Sequence, residues 1–236
     1  MRPLPDLDLA RIAPMTPERK RNALNTLKLG HPPYSYEPLR RTILDVLNIQ
    51  AGPLASVPRT PWSAIASEVR RRSRKPDEFK ANIAVAEALY GYASEHDISG
   101  IRHEIYPMNI GVSEKVVYWT PAVVSIDGRP VVPFIDPRRS AKQLTSAARL
   151  FVFSVMHERI RVADPDFADV GLCIIQFGCE DNRRIPIHYS ADGLTLIPFD
   201  GLDQMVRETY AIWQEVLEER EANIRRRSSG THGPLI

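Results

Sequence analysis

The sequence predicts an α/β domain, and three observations carry that prediction. DEFKANIAVAEALYGYASEH (77–96) carries a helical apolar stripe, two β-rich runs between 115 and 136 meet at Asp127-Gly128, and VGLCIIQFG (170–178) is apolar without a break. The 236 residues suit one large domain, or one domain with an extension. With 43% apolar and 25% charged side chains, the composition excludes wholesale disorder, collagen-like repeats and coiled-coil rods. Thirty-one Lys and Arg against twenty-nine Asp and Glu leave a net charge of +2, so nucleic-acid affinity would need a local patch.

The first 76 residues hold eleven of the twenty prolines, which predicts a Pro-rich extension of short helices on extended connectors. Thr16, Pro17 and Glu18 form an N-cap, N1 and first-turn acid for a helix over 17–28. A second helix is expected over 38–48. A third, PWSAIASEVRRRSRK (61–75), ends in Arg70, Arg71, Arg72, Arg74 and Lys75.

A larger α/β domain is expected over 77–224. Phe79, Ile83, Ala86 and Tyr90 recur at helical spacing, with Glu87 on the same stripe. Strands follow at 101–110, 115–126 and 129–136, the last two closed into a hairpin by the Asp-Gly turn. A long helix is expected over 140–160 and an interior strand over 170–178. RIPIHY and LTLIPF are read as a further hairpin around Asp192-Gly193. The helix over 201–224 puts Leu202, Met205, Val206, Tyr210, Trp213, Val216 and Leu217 on one face and should dock on the body. Residues 225–236 are expected to be a flexible tail.

Several chemistries are absent. Cys173 and Cys179 make neither a CxxC pair nor a zinc pattern and are expected to be free thiols. None of the six histidines is metal-spaced, and the phosphate-loop, dinucleotide and Gly-x-Ser-x-Gly signatures are missing. No apolar run approaches a membrane span and no secretory core opens the chain, so a cytoplasmic location is expected.

The order helix, strand, hairpin, long helix, strand is an αβββαβ arrangement. Together with YWTPAVVSIDGRPVVPFIDPRRS (118–140), it resembles the PD-(D/E)xK nuclease superfamily, in particular the hairpin of TnsA-like endonucleases, over residues 77–178. The resemblance implies a restriction-endonuclease-like core with a mixed central sheet. It assigns Glu87, Asp136 and Arg138 to the catalytic positions, with Glu87 and Asp136 as ligands for Mg²⁺. Arg138 stands where the family has Lys, and Ala122 follows Pro121 where the family has Asp. Alanine ligates no metal, so the implied site is degenerate unless Asp127 or Glu104 replaces the missing acid.

Each of these residues has a structural reading as well. Glu87 can pair with an arginine. Asp136 can end a strand ahead of a helix capped by Ser140. The cations at 70–75, extended by Arg139, suit phosphates or simply complement a helix C-terminus. Tyr34, Tyr36 and Trp62 suit base stacking or packing of a connector.

The function expected from the resemblance is a DNA- or RNA-binding protein with a degenerate metal site, acting in DNA processing or mobile-element biology. An active Mg²⁺-dependent endonuclease is the second reading. The third is an interaction or assembly protein that engages a protein partner through the 201–224 helix or the Pro-rich N-terminal segment.

Overall fold

The computed structural model describes residues 3–27, 35–50, 58–112, 114–139 and 142–229. Its helices are α1 (Asp6–Ile12), α2 (Pro17–Thr26), α3 (Glu37–Val46), α4 (Trp62–Arg72), α5 (Pro76–Glu95), α6 (Ser146–Met156) and α7 (Phe199–Ser229). Its strands are β1 (Ile49–Gln50), β2 (Ser99–Arg102), β3 (Met108–Ile110), β4 (Glu114–Val116), β5 (Ala122–Ile126), β6 (Arg129–Ile135), β7 (Gly171–Glu180) and β8 (Arg183–Ser190). A mixed six-stranded sheet runs in the order β1-β2-β5-β6-β7-β8, beside a two-stranded sheet of β3 and β4. The pairs β1–β2 and β6–β7 are parallel, the latter joined through α6, and the other pairs are antiparallel.

Alternation along β6 and β7 separates two cores. Val132, Leu172 and Ile174 face one side, where α1, α6, α7 and Leu24 of α2 cover them. Val131, Cys173, Ile175 and Phe177 face the other side, under α3, α4 and α5. The continuous apolarity of β7 follows, since it lies between β6 and β8 with both faces covered. The N-terminal helices straddle the sheet: α1 and α2 pack on one face, α3 and α4 on the other.

α7 docks through Leu202, Val206, Tyr210, Trp213 and Val216, all buried. Lys20 of α2, itself buried, pairs with Glu208. Arg220 donates to the carbonyls of Leu24, Asn25 and Leu27 at the end of α2 (2.8, 2.9 and 3.0 Å). These bonds add to the Leu27 N–Leu24 O bond in satisfying carbonyls at the end of α2.

Several expectations need correction. The run 101–110 divides into β2 and β3 of different sheets, with Pro107, which has no ladder donor, between them. The run 115–126 divides into β4 and β5; Thr120 N instead donates to Pro133 O, and Trp119 Nε1 to Ile105 O. The long helix starts at Ser146, with Thr145 Oγ1 accepting from Ala148 N, and ends in a π-helical turn, His157–Val162. The hairpin around Asp192-Gly193 does not form. β8 folds back on β7 through Asp181 and Asn182, both at positive φ (47° and 63°) as a tight hairpin turn requires. Ile197 N is then held by Ser154 Oγ of α6 (2.9 Å) instead of by a strand. α1 was not expected. The tail continues α7 as far as Ser229, and residues 230–236 lie outside the described residues. The Asp127-Gly128 hairpin forms with both residues at positive φ, and both cysteines are free.

Glu78 shows how α3 and α5 are tied. Its carboxylate accepts from Ser35 N, Ser35 Oγ and Arg74 N (3.1, 3.0 and 2.7 Å). The Arg74 amide, followed by the Ser35 amide, holds this carboxyl below the usual carboxylate range. A depressed folded-state pKa contributes stability above the unfolded value of about 4.3, and that stability is lost as pH falls through the folded value. Glu78→Gln is therefore expected to cost about 1.5–3 kcal/mol at neutral pH, the net worth of hydrogen bonds to a charged group. Urea melts at neutral and acidic pH should show the gap between variant and parent closing as pH falls.

Candidate functional site

Asp136 directly follows β6 and is fully buried, and five protein donors surround its carboxylate. Oδ1 accepts from Arg138 Nε (2.9 Å) and Arg138 N (3.4 Å). Oδ2 accepts from Leu144 N (3.1 Å), Gln176 Nε2 (3.1 Å) and Arg138 Nη2 (3.4 Å). Asp136 N donates to Ile175 O (2.9 Å), which carries the β6–β7 register one residue further and puts Asp136 on the α1/α6 face beside Gln176, and Arg138 also reaches Asp8 of α1 at 3.9 Å. The arrangement ties Arg138 and Leu144 to the sheet.

Glu87 lies on α5, which covers the opposite face. The sheet therefore separates the two acids assigned to a metal site, and Asp136 has both oxygens already engaged by protein donors. The residues present do not fit a Mg²⁺ centre. Among the described residues no three His, Cys, Asp or Glu side chains are grouped to hold a metal ion. Ala122 is buried in the α5-side core, and Asp127 and Glu104 are bound to His96 (3.2 Å) and Arg102 (2.7 Å).

The basic cluster is partly neutralised within the chain. Glu68 accepts from both Arg71 (2.7 and 2.5 Å) and Arg72 (2.6 Å), and the Arg71 bond leads in pulling its carboxyl down to about 2. Arg70 stands 5.2 Å from the Phe79 ring centroid. Arg74, Lys75 and Arg139 are exposed. Trp62 packs on Tyr90, with ring centroids 5.4 Å apart, and Tyr36 packs against the α5-side core, while Tyr34 lies outside the described residues.

Two surface features remain. A groove of about 490 Å³ runs between Tyr106–Asn109, the π-helical turn and Phe199. Tyr106 (72% exposed) and Phe199 present apolar surface there. A second groove of about 460 Å³ runs between α5 and β8, lined by Glu87, Gly91, Tyr92, Glu95 and His96 and by 184–186. Below it Tyr92 Oη and His188 Nδ1 are 3.1 Å apart, and the Tyr92 and His96 rings lie 4.3 Å apart. Burial, then the neighbouring His96, lowers the His188 pKa, while burial lifts the Tyr92 hydroxyl to about 12. Gly91 at mid-helix is the one sequence signal for this groove, since a helix interior disfavours glycine.

The family described as "Sliding clamp-binding bacterial toxin SocB" matches residues 7–223, from α1 through the docked length of α7. The chain is also similar to the "DNA replication inhibitor toxin SocB" of Caulobacter vibrioides (strain NA1000 / CB15N). The two are 38% identical over 229 residues, covering 96% of this chain and 95% of the relative. No solved structure matches. These matches overturn the PD-(D/E)xK resemblance, and with it the DNA- or RNA-binding, mobile-element and magnesium readings drawn from that hairpin. An Asp-Gly turn between two strands is local chemistry that many folds share, whereas the match here runs nearly end to end. By both its matched length and its identity to that relative, the chain belongs to the SocB family.

Proposed function

We propose that this chain is a toxin that inhibits DNA replication by binding the sliding clamp. The observation that carries this reading is the 38% identity to a replication inhibitor over 96% of the chain. A toxin that occupies the clamp would exclude replication proteins from it by mass action. The cytoplasm is then the compartment of action. Among the described residues no helix is long and apolar enough to cross a membrane.

Of the sequence-based readings, the protein-partner one accords with this function. The surface supports it, since exposed aromatic and aliphatic side chains such as Tyr106, Phe199 and Val162 are the residue types that anchor protein contacts. The apolar face of α7 is already buried within the chain, so it is not the contact.

Inducible expression in Caulobacter vibrioides tests the reading. Labelled-thymidine incorporation should fall soon after induction while protein synthesis continues, and extra sliding clamp should relieve the arrest. Unchanged DNA synthesis in cells holding the folded chain would refute it.

A further inference from the structure

β8 closes one side of the six-stranded sheet, and no described strand pairs with its outer edge. Ala191 N donates to Leu172 O, so in the same register the odd-numbered residues of β8 bond to β7. The even-numbered residues then turn their backbone outward. Arg184 and His188 present an N–H and a C=O each, while Pro186 presents a C=O alone. α5 runs beside this edge and walls a groove with Glu87, Gly91 and Glu95, spaced four residues apart on one face. A Cβ built on Gly91 meets nothing within 4 Å, so the middle of that wall is open. Neither Glu87 nor Glu95 has an ion pair or hydrogen bond among the described residues.

We propose that this groove is a strand-addition site for an extended basic segment of a partner protein, distinct from clamp binding. The spacing fixes the pattern. The eight helical steps from Glu87 to Glu95 rise about 12 Å, and four steps of an extended peptide rise about 13 Å. A segment with Lys or Arg at i and i+4 therefore sets one cation against each carboxylate, and the side chain at i+2 faces Gly91. The backbone pairs with Arg184, Pro186 and His188, as in other peptides that extend a sheet edge. Arg184, which also lines the groove, disfavours a basic residue next to it, so the cations of the segment belong opposite Glu87 and Glu95.

Fluorescence anisotropy with the full chain tests this, using a fluorescein-labelled peptide that carries Lys-Thr-Val-Thr-Lys between neutral flanks. Saturable binding is expected, weakened at least about tenfold by Gly91→Leu and by Glu87→Lys with Glu95→Lys. The charge-reversed chain should instead take a Glu-Thr-Val-Thr-Glu peptide. Gly91→Ala guards against misfolding: it improves helix propensity, should melt no lower than the parent, and should still weaken the peptide. Binding should slow hydrogen exchange at the Arg184 and His188 amides. Three results would overturn the proposal. The basic peptide fails to bind up to its solubility limit, or it binds equally to all variants, or sizing with light scattering gives a dimer that Ile187→Lys dissociates, which would mean that a second copy occupies the edge.

Discussion

Asp136→Ala is expected to destabilise the chain by about 3–5 kcal/mol, the usual cost of removing one partner from a buried ion pair. Arg138, with its side chain only 13% exposed, would be left charged and without its main acceptor. Leu144 N would also lose its acceptor, and Gln176 Nε2 would keep only Leu144 O, which weakens the hold of Arg138 and Leu144 on the sheet. At roughly 2–4 °C per kcal/mol for a chain of this size, the melting temperature should drop by about 10 °C. Replacing both partners with apolar residues, Asp136→Leu with Arg138→Met, should cost clearly less than Asp136→Ala alone, because no buried charge is stranded. A structural ion pair also predicts that Mg²⁺ and EDTA leave the melting curve of the parent unmoved. A metal-dependent shift would restore Asp136 as a ligand.

Trp213→Ala should cost about 3–5 kcal/mol by opening a cavity in the α7 side of the core. Trp213 is 1% exposed, among the largest fully buried side chains, and shares its cluster with Tyr210, Val216 and Phe151. The Arg220 guanidinium stands 5.5 Å from its ring centroid and bonds the end of α2. The substitution should therefore be felt at a distance. Hydrogen exchange should quicken in α1 and α2 while α3, α4 and α5, across the sheet, keep their protection. Uniform loss across both faces would show that the two cores are less independent than their packing indicates.

What the sequence made legible was local chemistry. The helix of α5, the Pro17 start of α2, the positive-φ turn at Asp127-Gly128 and the unbroken apolarity of β7 depend on neighbours within a few residues, and all are present. The stripe itself is displaced, since α5 buries Val85, Ala86 and Leu89, leaves Phe79, Ile83 and Tyr90 half-buried and exposes Glu87. α1 was legible in principle, with Asp6 and Asp8 in its first turn and Arg11 in its last complementing the helix dipole. Pairing was not. Two turn signals, Asp181-Asn182 and Asp192-Gly193, flank β8, and only the register with β7 decides which one closes a hairpin.

The site was misread for the same reason. Glu87 and Asp136 are both visible as acids next to apolar runs, but which side of a sheet each occupies depends on strand parity and on where α5 crosses, neither of which spacing reveals. The groove beside Glu87 was hidden because recognising it requires knowing that β8 is an edge.

Titrating the purified full chain with the purified sliding clamp of Caulobacter vibrioides, by calorimetry at about 0.15 M salt, tests the central claim most directly. Saturable binding with a fixed stoichiometry is expected. A folded chain, shown intact by its melting curve, that gives no heat and does not co-migrate with the clamp on sizing would contradict it.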